Sequence, residues 1–358
     1  MKRGRPMAKI DLRNLDRHEL TELLRSWGEP SYRADQIYNW LYRNLVLSVE
    51  EMTNVPVKLR QRLTEETSLS NIYVQERHCS PDINTVKLLF SLADGQAVEG
   101  VLLRYRRWFS ACLSSQAGCR MGCAFCASTL GGLARNLTVG EMTGEMVLLA
   151  REARQLGGEV RSVVLMGTGE PLDNYNNVLK FLAHITEPSG FNLSYRRITL
   201  STCGLIPGIR KLAKEELPLT LAVSLHAPTE ELRNNLMPIN KVYPLSELIA
   251  ACYQYAQTTG RRITFEYALL AGVNDSAYQA QQLADLIKGL LCHVNLIPFN
   301  PVAESNFRRP ETSRVEVFYQ VLRQEGISVT VRRELGSDIS AACGQLRRRV
   351  LKEGASPP

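Results

Sequence analysis

No stretch of the 358 residues approaches the roughly 18 uninterrupted apolar positions a membrane-spanning helix needs. The longest buried-looking runs, Leu219 to Leu225 and Val163 to Met166, have the length of strands, so no bilayer span is expected. A secretory signal is missing too: Met1 to Pro6 is basic, no apolar segment follows, and the stretch reads as a loose tail on a cytoplasmic protein. Nor is there an even, regularly spaced cysteine set. Three of the nine cysteines crowd into eight residues and the others are scattered, which excludes a disulfide-stapled secreted domain. In a reducing compartment the crowded three suit a metal site, and any disulfide would be transient and catalytic. Low-complexity tracts are absent, and so is a strong charge of one sign. With 43 Lys+Arg against 36 Asp+Glu, the excess of +7 suits a polyanionic partner without requiring one.

What is present is an ordinary globular composition, 44% hydrophobic and 22% charged, long enough for one large α/β unit and an appended domain. From about residue 11 to 66 the apolar positions have helical spacing, Leu20, Leu23 and Leu24 before Gly28, then Ile37, Trp40 and Leu41, then Val57, Leu59 and Leu63. This predicts an N-terminal helical domain over 1–72. Alternating runs Thr85 to Leu92 and Gln96 to Leu103, joined by Ala93-Asp94-Gly95, predict a β-hairpin, read as a linker over 73–109. Beyond it, strand-like runs near 111–115, 162–166, 197–201, 219–225, 263–269 and 293–298 alternate with helix-length segments such as Val139 to Leu156, Tyr175 to Thr186 and Ala277 to Leu291. Six βα units predict an α/β fold, a partial (β/α)6 TIM-like barrel over 110–326, with a C-terminal extension over 327–358.

The residues that follow the strands carry the chemistry. They are Gly167-Thr168-Gly169-Glu170-Pro171, Ser201-Thr202-Cys203-Gly204, Ser224-Leu225-His226 and Pro298-Phe299-Asn300-Pro301, and strand C-termini converge on one mouth in such a barrel. After the first strand comes Cys119-Arg-Met-Gly-Cys123-Ala-Phe-Cys126, three thiolates on a glycine-bearing loop. Thiolates are the ligands of iron-sulfur clusters, and three for four irons leave one iron open to a substrate. Structural zinc is the alternative; it wants a fourth ligand, and Cys112 alone lies near enough in sequence.

CxxxCxxC after a first barrel strand resembles the radical S-adenosylmethionine superfamily. Tyr32 to Ile37, Ser114 to Gly118, Arg135 to Thr138, Leu236 to Asn240, and Asp338-Ile339 leading into Ala341 to Leu346, in that order, resemble the RlmN/Cfr family of RNA methyltransferases over almost the whole chain. The resemblance implies a radical-SAM barrel with a [4Fe-4S] cluster on Cys119, Cys123 and Cys126. It implies that S-adenosylmethionine chelates the open iron, with Gly169 and Glu170 holding its amino group and Ser201, Ser224, Leu225, His226 and Asn300 contacting the remainder. Cys343 would carry the methyl as S-methylcysteine, Cys112 would release it through a disulfide, and Glu99 would accept the proton. Two S-adenosylmethionine molecules would be used per turnover, one as methyl donor and one as radical source.

The implied product is an adenosine methylated at C2, in the peptidyl-transferase region of 23S ribosomal RNA and beside the anticodon of some transfer RNAs. An external electron donor such as flavodoxin or ferredoxin and a monomeric state are also implied. Methylation at C8 and a zinc-stabilised RNA-binding protein stay open as alternatives. Read from residue type alone, Cys112 and Cys343 would be inert core cysteines, Glu99 a solvent-facing strand carboxylate and His226 a satisfied core histidine. Cys79, Cys203, Cys252 and Cys292 match no family position, and Cys203, Thr168 and Glu334 depart from the usual residues. Arg104 to Arg107 beside Trp108, Arg308-Arg309, Arg332-Arg333 and Arg347 to Arg349 offer candidate RNA contacts, with solvated charged faces as the plainer reading.

Overall fold

The computed structural model describes residues 9–69, 72–106, 108–301, 305–333, 335–336, 339–341, 345–346 and the backbone of 349–350. Helices α1 (Arg17–Ser26), α2 (Tyr32–Asn39) and α3 (Val57–Glu66) form the N-terminal module. Asp16 caps α1 by accepting from the Glu19 amide, while the Glu19 carboxylate accepts from the Asp16 amide, so both orphan donors are met. Leu20, Leu24, Ile37, Tyr38, Leu41 and Leu63 make a small core of their own.

The main sheet has eleven strands: Arg349–Val350 pairs antiparallel with Gln96 and Ala97, and ten others run in chain order. Those ten are β1 (Ile72–Cys79), β2 (Thr85–Leu92), β3 (Gln96–Tyr105), β4 (Trp108–Cys112), β5 (Val160–Leu165), β6 (Ile198–Thr202), β7 (Thr220–Ser224), β8 (Ile263–Leu269), β9 (Cys292–Pro298) and β10 (Val329–Val331). Their spatial order follows the chain. β1 to β4 pair antiparallel, and from β4 to β10 every pairing is parallel. Helices α4 (Val139–Gln155), α5 (Tyr175–Thr186), α6 (Ile206–Lys214), α7 (Glu230–Leu236), α8 (Leu245–Thr259), α9 (Ala277–Leu286) and α10 (Thr312–Gln324) follow the parallel strands. The apolar inner faces of α4, α5, α6 and α8 enter the same core as Val163, Leu200, Val223 and Phe265. The N-terminal module docks on α4, where Val147 and Ala150 close its core and the Gly140 amide donates to Asn14 Oδ1 at 2.6 Å.

Four features differ from the sequence reading. The hairpin is not a separate linker: Val101 pairs with Cys112 across β3 and β4, so the hairpin extends the barrel sheet. Strand β1, unforeseen, straddles the expected boundary at 72; its inner residues are Ile72 and Val74, but Gln75-Glu76-Arg77-His78 and a register shift break the alternation that would have marked it. The first barrel strand lies at 108–112 rather than 111–115. Strand β10 adds a seventh parallel strand inside the expected extension, and three residues, two of them exposed, are too few to show a period.

The sheet does not close on itself: among the described residues β10 pairs only with β9. Leu335, Ile339, Ala341 and Leu346 pack instead against Val101, Leu103 and Cys112, covering the exposed flank of the barrel.

Candidate active site

At the C-terminal ends of the parallel strands lies a cavity of about 970 Å³, counting its open mouth. Cys119, Cys123 and Cys126 line it together with Gly169, Glu170, Ser201, Ser224, His226 and Asn300, so nine of the expected cofactor positions face one space. The loop is tightly folded. Gly118 has φ +88°, and a Cβ there would stand 2.0 Å from the Gly132 carbonyl oxygen, so no other residue fits. Gly122, at φ +71°, gives the turn between the first two cysteines, and the Ala124 amide donates to Leu236 O at 3.0 Å. Burial pushes the Cys119 thiol up to about 12 and raises that of Cys123. Thiols in such a place ionise when a metal supplies the compensating charge.

Opposite the thiols, backbone geometry sets the glycine segment. Gly169 has φ +111°, and a Cβ there would lie 2.7 Å from Gln116 Cβ; at Gly167 it would lie 2.6 Å from Leu113 O. The Thr168 carbonyl accepts from the Ser115 and Gln116 amides at 2.9 and 3.2 Å, so the backbone makes the turn, and the departure at Thr168 leaves those bonds intact. Glu170 is buried; its carboxylate accepts from the Leu172 amide at 3.0 Å and the Cys203 amide at 2.7 Å, and burial raises its pKa. Cys203, expected to be filler, is buried in the same apolar cluster as the three loop cysteines and lines the cavity.

His226 sits at φ +58°, a left-handed conformation that turns the ring across the cavity edge. Its Nδ1 accepts from the Ala268 amide at 2.9 Å, so the ring hydrogen is on Nε2. Burial and the nearby Arg233 depress its pKa to about 3, which keeps it neutral. The strand ends are tied by two residues the sequence reading missed. Arg233, 1% exposed, donates to Cys203 O (2.7 Å), Ser224 O (3.1 Å), Leu225 O (3.2 Å) and Asn240 Oδ1 (2.8 Å). Asn274 donates to His226 O and Ala268 O and accepts from the Leu270 amide. Leu225 itself is fully buried and offers backbone only. Arg233 stands just before the Leu236 to Asn240 motif, and that position was the available signal.

A second cavity adjoins the first; Met166, Ile297, Asn300 and Arg332 line both. Cys112, 7% exposed, faces it beside Ala341 and Leu346. Cys112 packs in a different apolar cluster from the three loop cysteines and lines the second cavity rather than theirs. Glu99 is no surface carboxylate: it is 1% exposed, and its Oε1 stands 3.4 Å from Lys87 Nζ. Cys343 lies outside the described residues; Gln345 and Leu346, a little further along the chain, have defined partners. Gln345 Nε2 donates to Pro301 O at 2.9 Å and Ser128 Oγ donates to Leu346 O at 2.7 Å.

The basic residues divide. Arg332, expected at the surface, reaches inward to 4.0 Å from Glu266, and Arg104 donates to Leu156 O. Arg106, Arg308 and Arg309 are exposed, and Trp108 stacks on Tyr105 with ring centroids 4.8 Å apart. Arg107, Glu334, Asp338, Arg347 and Arg348 lie outside the described residues.

A parallel βα barrel with a three-cysteine loop after its first strand and a glycine-glutamate turn after its second defines a radical S-adenosylmethionine enzyme. Residues 113–283 match the model of the radical SAM superfamily, and residues 10–69 match that of the ribosomal RNA large subunit methyltransferase N-terminal domain. The chain belongs to the RlmN family of radical-SAM RNA methyltransferases, a [4Fe-4S]- and S-adenosylmethionine-dependent class. It is 52% identical to a protein of Desulforamulus reducens named "Probable dual-specificity RNA methyltransferase RlmN", over 95% of this chain and 97% of that one. A protein of the same name from Symbiobacterium thermophilum is 50% identical, covering 97% and 94%. A solved radical SAM methyltransferase from Sphaerobacter thermophilus superposes with a TM-score of 0.92 at 47% identity, over 94% of this chain and 99% of that one.

Proposed function

We propose that this RNA methyltransferase places a methyl group on C2 of adenosine, in 23S ribosomal RNA and in transfer RNA. The observation that carries the reading is the pair of connected cavities, one lined by the cysteine triad and the strand-end residues, the other by Cys112 with Ala341 and Leu346, which bracket Cys343 in sequence.

Cys119, Cys123 and Cys126 would hold the cluster. The fit rests on the donor set: three thiols line one cavity, Cys119 buried and Cys123 and Cys126 partly buried, and three thiolates are what a four-iron cluster with one open iron requires. With S-adenosylmethionine bound, the cluster would supply deoxyadenosyl-radical chemistry, its electron coming from an external donor such as flavodoxin or ferredoxin. Gly169 and Glu170 bind the amino group, and Ser201, Ser224, Leu225, His226 and Asn300 bind the rest. The neutral His226 offers Nε2–H as a donor.

The protein's own part is a relay of thiols. The Cys343 thiolate takes a methyl from one S-adenosylmethionine, forming S–CH3 as the sulfonium C–S bond breaks. A second S-adenosylmethionine would be consumed as that methyl gives a hydrogen atom to form 5′-deoxyadenosine and its carbon bonds to C2 of adenine. The adduct would return one electron to the cluster held by Cys119, Cys123 and Cys126, and Glu99 would take the C2 proton. Cys112 thiolate then attacks the sulfur of Cys343; the S–C pair goes to carbon, which gains a proton to become the methyl, and a Cys112–Cys343 disulfide remains for an external reductant.

Docking of the helical module on α4 near the mouth supports a folded RNA substrate whose target base is extruded into the cavity. Among the described residues no helix is long and apolar enough to cross a membrane, and we take the enzyme to act in the cytoplasm as a monomer. Anaerobic incubation with methyl-deuterated S-adenosylmethionine and RNA, followed by nucleoside mass spectrometry, tests the reading. Labelled 2-methyladenosine is expected, and 8-methyladenosine alone would overturn the C2 assignment.

A further inference from the structure

Lysine is almost never fully buried without a partner, yet Lys87 on β2 is 4% exposed. The alternation of β2 puts Val86, Leu88 and Phe90 into the main core and turns Lys87 to the opposite face of the sheet. Register fixes what it meets there. Leu89 pairs with Glu99 and Lys87 with Val101, so Lys87 and Glu99 are diagonal neighbours, and Val101 in turn pairs with Cys112. Lys87 Nζ lies 3.4 Å from Glu99 Oε1 and donates to Ser340 O at 3.2 Å. The covering segment approaches β2 closely: at Gly336 a Cβ would stand 2.6 Å from Thr85 Cγ2. Ser114 Oγ adds a bond to Glu99 O at 2.8 Å from the loop that leads to the cysteine triad.

We propose that Lys87 is a positioning residue for the release step. One ammonium group, screened from water, binds both the carboxylate that receives the C2 proton and the backbone three residues before the methyl-carrying cysteine. It therefore fixes the distance between proton acceptor and adduct. The earlier events need only Cys343 and the strand-end cavity, so Lys87 acts late. The inference rests on the roles given above to Glu99 and Cys343.

The experiment is a single-turnover assay of the reconstituted holoenzyme with RNA, comparing wild type, K87M, K87R, E99Q and K87M/E99Q. It measures Cys343 methylation, 5′-deoxyadenosine, the RNA–protein adduct and 2-methyladenosine. K87M is expected to keep Cys343 methylation while 2-methyladenosine formed per 5′-deoxyadenosine falls about tenfold or more, with adduct accumulating. K87R, which retains the charge and both contacts, should recover to within about threefold of wild type. The double variant leaves no buried ion without its counter-charge, so it folds even if K87M does not, and it should match E99Q because Lys87 works through Glu99. Normal coupling in K87M, an uncoupling that K87R does not relieve, or a double variant clearly worse than E99Q would each overturn the proposal. Normal coupling in E99Q would instead overturn the role of Glu99 itself.

Discussion

At the scale of single residues, the site depends on thiols whose sequence neighbours are held more firmly than composition would suggest. Cys112 is buried against Ala341 and Leu346, within the cluster that seals the barrel flank. Under the proposed mechanism that thiol would attack the sulfur of Cys343, which lies between Ala341 and Leu346 in sequence. Replacing it with alanine removes the attack and leaves the methyl-transfer machinery untouched. Cys112→Ala is expected to accumulate an RNA crosslink through Cys343, visible as a nuclease-trimmed adduct in peptide mass spectrometry; normal release of methylated RNA would exclude the resolving role. The cysteine motif and the strand-end Gly, Ser, His and Asn positions were legible in the sequence because each is a short local pattern. Lys87 and Arg233 were not, since their meaning comes from partners distant in the chain or in the fold: a lone lysine in Val86-Lys87-Leu88 reads as the solvent face of a strand until the covering segment is placed over it.

At the scale of elements, strand ends and helix docking carry separate costs. Arg233 gathers the carbonyls that end β6 and β7, and no other side chain at those ends donates to Cys203 O or Ser224 O among the described bonds. Arg233→Met would strand these acceptors in an interior from which water is excluded. It is expected to destabilise the protein by about 3 kcal/mol or more and to weaken S-adenosylmethionine binding, measurable by thermal unfolding and by calorimetry. Helix α5 brings a different group into the seam with the N-terminal module. His184 is 1% exposed, its ring nitrogens have no hydrogen-bond partner among the described residues, and burial lowers its pKa to about 4. The folded state holds it neutral while the unfolded chain protonates it near 6.5, so its contribution is complete above that value and falls as the pH drops toward 4. Near pH 5 the loss amounts to about 2 kcal/mol. His184→Phe should therefore narrow the gap between melting temperatures near pH 7 and near pH 5, and an unchanged gap would show that this ring does not titrate as its burial implies.

At the scale of the whole molecule, parallel strands β5 to β9 were readable because each sends apolar residues into the core, Val163, Leu200, Val223, Phe265 and Val294 among them, between helix-length segments, while β1, broken by polar residues and a register shift, and β10, three residues long, were not. The same sheet separates two kinds of work. Chemistry is confined to the enclosed strand-end cavities, where the charges that matter are buried and answer weakly to salt. RNA has to be held by the outer surface, where Arg106, Arg308 and Arg309 are exposed and where each phosphate neutralised releases counterions. The two should part company as ionic strength is raised. Over a rise from about 50 to about 200 mM salt, KM for RNA should climb steeply, with a logarithmic slope of about 0.7 to 0.9 per phosphate contacted. Meanwhile kcat at saturating RNA should stay within about twofold, because the rate of a bound complex draws on groups that salt does not reach. A kcat that fell in step with the loss of affinity would mean that surface ions help assemble the cavity itself, and the division between an outer grip and an inner reaction chamber would have to be abandoned.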